Sequence, residues 1–475
     1  MPHVSIIGGG IAGLSAAWYL QQHAEATGQD LAYTVFEADE RVGGKILSRR
    51  QDGFVIEAGP DSFLTQKAWG QRLCRDLGLE PELVPMASRP IYVMKGEELV
   101  RFPAGFRLAV PTKWWPLIST PLFSPLGKLR LAMEPIIPTR RDTSDESLAD
   151  FVRRRLGSEA LAMIGEPLMA SIHSADPERL SMAAAFPMLQ EMERAHGSLM
   201  KAFRQQTRRS PGASTVMTHA PTVPFMSLRD GMGQLADSLR ARLSGTIRTG
   251  TPLARISRQG GRFRLHPREG ETRDTDIIIL ATPAYAAAEL LTDLLPDLSA
   301  MLSDVHYSAT ATISLAYRRD DLPADRFDGL GFVTAASYPG ELRACTVASQ
   351  KFPHRAPDDQ ILLRGFFGGH GHRDSLDKSD DELAAIAQRE LHQVLGIDAE
   401  PQHWHLFRWP QATPQYQVGH LDRVDQMEAI AATVPGLYLT GSSYRGVGIP
   451  HCIGHAHATV ARIAADHHWP AAPSR

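Results

Sequence analysis

A glycine-spaced turn, Gly8-x-Gly10-x-x-Gly13, sits between an apolar run at residues 4–7 and a stretch where Leu14, Ala17, Trp18 and Tyr19 recur at helical spacing. No other feature constrains the fold as tightly. Strand, glycine turn and helix in that order leave backbone N–H groups at a helix N-terminus, and the missing Cβ atoms let a pyrophosphate approach them. The next β-branched and aromatic run, residues 33–37, completes a strand–helix–strand unit, so the N-terminus reads as a Rossmann-type dinucleotide-binding fold. Glu37 ends that second strand, where its carboxylate can accept hydrogen bonds from both ribose hydroxyls, each worth roughly 1.5–3 kcal/mol. Its distance from Gly13 along the chain is slightly long for the motif, and the polar insertion at residues 23–30 accounts for the excess. By itself the glycine pattern would serve a ligand-free turn equally well.

At 475 residues the chain exceeds one ordinary core, and two or three interleaved domains are expected. A formal charge of -3 gives no case for nucleic acid, which would want a concentrated basic face. Cys74, Cys345 and Cys452 are far apart and lack CxxC spacing, so neither a disulfide framework nor a zinc site is implied. The opening residues carry no basic and long apolar stretches of a secretory leader, and no apolar run reaches the roughly 18 residues of a spanning helix. A cytoplasmic protein is the expectation.

Further along, Thr143 and Glu146 have capping-box spacing ahead of Leu148, Phe151 and Val152, which begins a helical region reaching about Arg204. Residues 204–212 are polar, basic and end in Pro-Gly, which reads as an exposed loop. Strand-like runs return from residue 246 to 280, at 310–317 and at 360–367, followed by an amphipathic helix at 380–395. Residues 436–440 read as a last buried strand, meeting a turn at Gly441 and a helix of small residues from Ile453.

Flavin rather than nicotinamide is selected by the continuation Glu37-Ala38-Asp39-Glu40-Arg41-Val42-Gly43-Gly44-Lys45, followed by Glu57-Ala58-Gly59-Pro60. This text resembles the dinucleotide signature of the amine oxidase and phytoene desaturase superfamily of FAD enzymes, in which the Arg-x-Gly-Gly turn lies along the FAD diphosphate. The segment Gly441-Ser442-Ser443-Tyr444-Arg445-Gly446-Val447-Gly448-Ile449-Pro450-His451-Cys452-Ile453 is more specific still. It closely resembles the corresponding stretch of protoporphyrinogen/coproporphyrinogen oxidases, and residues 59–67, 111–123, 150–157 and 408–416 agree in order, so the resemblance spans nearly the whole chain.

The resemblance implies that FAD is held by Gly8, Gly10, Ile11, Ala12, Gly13, Glu37, Ala38, Arg41, Gly43, Gly44, Lys45, Ala58, Gly59, Pro60, Leu253, Trp409, Gly441, Val447, Gly448 and Ile449. Leu253 takes an adenine-side backbone position, while Val447 and Gly448 pass their backbone close to the flavin ring. The implied activity is oxygen-dependent oxidation of a porphyrinogen to a porphyrin in haem biosynthesis. Six hydrogens leave in three two-electron steps, with coproporphyrinogen III preferred and protoporphyrinogen IX the alternative. Lys67 and Arg89 are the candidate partners of the substrate's propionates, and no side-chain base is named. The sequence departs from the family where His451 replaces a usual aspartate, where His455 replaces a common glycine, and where residues 171–176 replace a glycine-rich turn.

The expected architecture is α/β: a discontinuous Rossmann-type FAD-binding domain (residues 1–70, 226–290 and 405–475), a mixed-sheet substrate domain (71–110 and 291–404) and a helical domain (111–210). The apolar, Pro-interrupted stretch at 114–127, flanked by Lys113, Lys128 and Arg130, reads either as a buried inter-domain loop or as a peripheral membrane contact. Expected partners are the porphyrinogen, oxygen and other haem-pathway enzymes. No metal is expected: the pairs His370/His372, His403/His405 and His455/His457 have i,i+2 spacing but no carboxylate or thiolate cluster beside them. An amine oxidase or carotenoid desaturase would share the N-terminal signature but lack the text at 444–450. A non-enzymatic FAD-binding module would be yellow and never turn over.

Overall fold

A computed structural model describes residues 2–170, 173–209, 224–323, 328–335 and 337–471. A parallel sheet is ordered Thr246–Arg248, Ala32–Phe36, His3–Ile7, Ile277–Leu280, Leu437–Leu439, drawing its strands from both ends of the chain and its middle. Its central strands are continuously apolar because both faces are covered. Val4, Ile6, Ile277 and Ile279 face the helix Ile11–Thr27, whereas Ile7, Ile278 and Leu280 face the layer holding the helix Ala284–Leu291. Against Ile11–Thr27 packs the C-terminal helix Ile449–Asp466, which buries Ile453, Ala456, Val460 and Ile463 at three- and four-residue intervals.

A second sheet of seven strands runs His403–Pro414, Tyr307–Arg318, Gln360–Gly368, Ala344–Val347, Gly331–Thr334, Ile91–Lys95, Glu98–Arg101. All its pairings are antiparallel except that of Gly331–Thr334 with Ile91–Lys95. The strand His403–Pro414 thus belongs to this sheet rather than to the dinucleotide-binding unit, and the helix Pro296–Ser303 packs in the Rossmann core rather than with the substrate sheet. One face is covered by the helix Asp380–Leu395, started by a capping box between Ser379 and Glu382. The hairpin edge is covered on the other face by the helical region: Val93 joins the helical core while its neighbour Met94 joins the opposite one.

Within the helical region the helix Leu148–Arg155 is capped by Ser147, whose hydroxyl accepts from the Asp150 N–H at 3.0 Å. The expected Thr143–Glu146 cap does not form, because Glu146 instead accepts from Arg154 at 2.9 Å. The helix Leu199–Arg209 also runs past the expected loop start at Arg204, its first turn anchored by buried Leu199, Met200 and Phe203, while residues 210–212 lie outside the described residues. Glu134 and Arg155, each 0% exposed, form an ion pair at the centre of this region. Glu134 also accepts from the Ser198 hydroxyl at 2.6 Å and the Leu199 N–H at 2.8 Å, so one carboxylate joins two helices. Glu134→Ala would break this buried ion pair, leaving Arg155 with Glu193 at 3.5 Å as its remaining carboxylate, and is expected to cost about 3 kcal/mol, read as a lower denaturant midpoint by circular dichroism.

Candidate active site

The glycine turn after the strand His3–Ile7 is packed from below and open above. A Cβ at Gly13 would lie 1.9 Å from the Gly8 carbonyl oxygen, and one at Gly8, whose φ is +107°, 2.9 Å from the Ala281 carbonyl carbon. A Cβ at Gly10 would meet nothing within 4 Å. Gly8 and Gly13 are therefore required by the protein's own backbone, whereas Gly10 borders space at the N-terminus of the helix Ile11–Thr27, where a diphosphate fits.

Glu37 closes one side of this space. Its carboxylate accepts from the Gly9 N–H at 2.7 Å and the Asp39 N–H at 3.0 Å, which fixes it beside the turn with acceptor capacity left for a ribose. The Thr251 N–H donates to the Glu37 carbonyl at 2.9 Å, and this brings the segment leading to Leu253 alongside Glu37 and Ala38. Arg41 folds back on its own turn, donating to the carbonyls of Val42 at 3.2 Å, Ile46 at 3.3 Å and Gly44 at 2.5 Å. Its role here is to shape the loop that seats Gly43 and Gly44, and the Gly43 N–H in turn donates to Gly9 at 2.8 Å.

The other end of the chain arrives at the same place. A Cβ at Gly441 would stand 3.7 Å from the Ala12 Cβ and 3.8 Å from the Ala281 oxygen, the residue that also abuts Gly8. Tyr416 pins the loop that follows: its hydroxyl donates to the Ser442 carbonyl at 2.6 Å and accepts from the Gly446 N–H at 2.8 Å. His420 stacks on Tyr416 at 3.8 Å between ring centres and bonds the Tyr444 carbonyl at 2.7 Å. So held, Val447 leads into Gly448, the N-cap of the helix Ile449–Asp466, whose first N–H groups receive no side-chain cap. The i,i+2 histidines His455 and His457 lie on this helix and not on a strand, so their rings do not share a face.

Substrate-sheet residues form the third wall. The Ala58 carbonyl accepts from Trp409 Nε1 at 2.8 Å, Thr312 Oγ1 at 3.2 Å and Arg364 Nη2 at 3.3 Å, and Arg364 also donates to Gly59 at 2.6 Å. A Cβ at Gly59 would fall 1.9 Å from the Lys45 carbonyl oxygen, which sets Pro60 and the following turn in place. Lys45 donates to the Ala412 carbonyl and lies 5.3 Å from the Tyr307 ring centre; burial lowers its pKa to about 8, against an opposing pull from Cys452. Burial alone would raise the Asp61 carboxyl, but Lys351 and Arg364 hold it well below the ordinary carboxylate range. Sequence reasoning missed Arg364 and Asp61. An arginine inside the apolar run at 360–367 was the signal available.

Of the two cations assigned to the substrate, only Lys67 comes to this site. It is exposed at the start of the helix Ala68–Asp76, and its charge, after burial, is what lowers the pKa of His451. Arg89 instead donates to the Asp328 carbonyl at 3.4 Å and shares a surface depression with Arg319 and Gln360. That is the Arg318 end of the strand Tyr307–Arg318, roughly 35 Å along the sheet from Tyr307 and Lys45. His173, unremarked except as part of a divergent segment, is buried beside His451, while Ser171 and Ile172 lie outside the described residues.

Glycine-lined backbone from both termini, an acidic strand end and an uncapped helix N-terminus fit FAD, and the fold and site define an FAD-dependent oxidoreductase. Residues 11–464 match the family described as flavin containing amine oxidoreductase, and the chain belongs to that family. It is 37% identical over 460 residues to coproporphyrinogen III oxidase of Bacillus subtilis (strain 168), covering 96% of this chain and 97% of that one. It is 30% identical to the chloroplastic protoporphyrinogen oxidase 1 of Arabidopsis thaliana, over 96% of this chain and 87% of that one. A solved structure from Exiguobacterium sp. 255-15, provisionally named a protoporphyrinogen oxidase, superposes with a TM-score of 0.86 at 31% identity, covering 98% of this chain and 99% of that one.

Proposed function

We propose that the chain oxidises a porphyrinogen to the porphyrin in haem biosynthesis, coproporphyrinogen III in preference to protoporphyrinogen IX, by three two-electron steps with oxygen as final acceptor. The observation that supports this reading is Gly441, which borders Ala12 and Ala281 at the N-terminal glycine turn and leads into the loop that Tyr416 fixes at Gly446, in a chain similar over nearly its full length to coproporphyrinogen III oxidases. FAD, when bound, supplies the two-electron acceptor. The chain's own part is to hold the macrocycle against that acceptor and to stabilise negative charge with the N–H groups and dipole of the helix Ile449–Asp466. Competition between the two porphyrinogens on the purified protein tests the preference, and faster turnover of the divinyl substrate would reverse it.

Lys67 is the proposed partner of one propionate. An exposed cation adds binding energy equally to ground and transition states, so Lys67→Met is expected to raise KM about tenfold with kcat nearly unchanged, while Arg89→Met leaves both unaltered. A steady-state comparison of the two variants checks this.

A peripheral membrane contact is a second element of the proposal. Among the described residues no helix is long and apolar enough to cross a membrane. The short helices Trp114–Ser119 and Pro125–Ala132, however, present Trp115 at 75% exposure and Leu126 at 78%, with Ile136 at 72% just beyond, beside exposed Lys113. Flotation with anionic vesicles is expected for the protein and lost in a Trp115→Glu, Leu126→Glu variant; no flotation of the parent protein would remove this element.

A further inference from the structure

We propose that His451 is the base that takes up protons released from the macrocycle during oxidation. This rests on the porphyrinogen reading above. In a first two-electron step a bridging methylene C–H bond breaks and its hydride goes to the flavin, while a pyrrole N–H bond breaks and its proton must go to a base. Over three steps the ring loses four C–H and two N–H hydrogens, so three hydrides and three protons leave. One of those protons comes from carbon by imine–enamine tautomerism, itself a proton transfer that a neutral imidazole can carry. Each proton then joins the hydride equivalent on oxygen as hydrogen peroxide, and the histidine returns to its neutral form.

The position of His451 follows from the helix it opens. Side chains in a first helical turn lean back over the N-terminus. Its ring therefore lies on the glycine backbone before it: a Cβ at Gly446 would be 2.5 Å from the ring's Cγ, and one at Gly448 3.3 Å from Nδ1. This places the imidazole beside the backbone at Gly446 and Gly448, which on the proposed reading would pass the flavin. His173 is held within electrostatic reach of His451 by Gln415, whose side-chain amide donates to the His173 carbonyl at 3.1 Å, and its ring rests edge-on against Phe186 at 5.7 Å. Neighbouring Tyr416 fixes Gly446, so one short segment positions both histidines.

Both rings are held neutral. Burial, then the charge His451 would carry, pushes His173 down to about 4, and burial, then Lys67, lowers His451. The other titratable groups around the pair are the Tyr416 hydroxyl and the Cys452 thiol, which burial pushes up to about 12. Among the described residues the charges that act on the two rings are those of Lys67 and of the other histidine, and neither is negative. A hydride-depleted pyrrole is a strong acid, so a weak base suffices and releases its proton readily.

The test uses the FAD-loaded protein and its His451→Asn, His451→Gln and His173→Asn variants, mixed anaerobically with coproporphyrinogen III while flavin absorbance is followed. Loss of a general base is expected to slow bleaching by about a hundredfold or more in the His451 variants, with KM and the oxidised flavin spectrum little changed. His451→Asp is expected to restore part of the rate. Independently of turnover, histidine NMR of labelled protein should show His451 titrating below ordinary imidazole, and His173 shifting when His451 is replaced. If the parent protein bleaches and both His451 variants keep its rate and pH profile, the assignment is overturned while the porphyrinogen reading stands. If the parent protein itself does not bleach, that reading fails and takes this assignment with it.

Discussion

Gly13→Ala is expected to give a colourless and destabilised protein, whereas Gly10→Ala is expected to give a stable protein that binds FAD poorly. The two glycines stand three residues apart in one turn, and only their surroundings differ. A Cβ at Gly13 would sit 1.9 Å from a backbone oxygen of Gly8, which cannot yield without moving the strand His3–Ile7 and, through Gly8, Ala281. Overpacking of this kind costs about 1–3 kcal/mol where side chains can adjust, and backbone against backbone lies at or beyond the upper end. A Cβ at Gly10 would touch no protein atom within 4 Å. It would occupy the approach of the diphosphate, and a loss of about 1.4 kcal/mol there already means tenfold weaker binding. Thermal melting and FAD titration of both apoproteins separate the cases; equal stability in the two variants would contradict the assignment of separate roles.

Arg364→Met should produce the second large effect. Arg364 is buried, donates to the carbonyls of Ala58 and Gly59, and together with Lys351 offsets the negative charge of Asp61. Removing the guanidinium frees the segment that closes the site and leaves the partly buried Asp61 carboxylate to Lys351. The hydrogen bonds that this guanidinium makes to the Ala58 and Gly59 carbonyls are worth about 1.5–3 kcal/mol each. Reduced FAD content in the purified variant and a lower denaturant midpoint are the expected readings. Stability and flavin content both unchanged would mean that the wall around Ala58 is held by Trp409 and Thr312 alone.

Where a sequence signal was local and repeated, it carried through to the structure. The run at residues 277–280 is apolar at every position because its alternate side chains enter two different cores, and the amphipathic helix expected at 380–395 runs from Asp380 to Leu395. At Gly8 and Gly13 the glycine spacing likewise marked backbone that has no room for a Cβ, and at Gly10 it marked open space. Signals that depended on a distant partner misled. Thr143 and Glu146 have capping-box spacing, yet Glu146 is taken by Arg154, and Ser147 does the capping. Arg89 precedes a strand of the right sheet, but which end of a twelve-residue strand a neighbour reaches is fixed by register, and register is not written in any one segment. Arg364 stood out in its apolar run, but its role could not be read there, because its partners lie some 300 residues earlier, in the turn at Ala58 and Gly59. His451 stood out only as a departure from the family's usual aspartate, and its link to His173 emerged once residues 173 and 415 were seen together.

Anaerobic addition of coproporphyrinogen III to the purified protein is the most direct measurement of whether two glycine segments from opposite ends of the chain build one flavin site with a tetrapyrrole against it. The account predicts a yellow protein whose flavin absorbance falls on mixing and returns when oxygen is admitted, as porphyrin fluorescence appears. A protein that stays oxidised with the porphyrinogen but bleaches with an amine, or one that is colourless and takes up no added FAD, would contradict it.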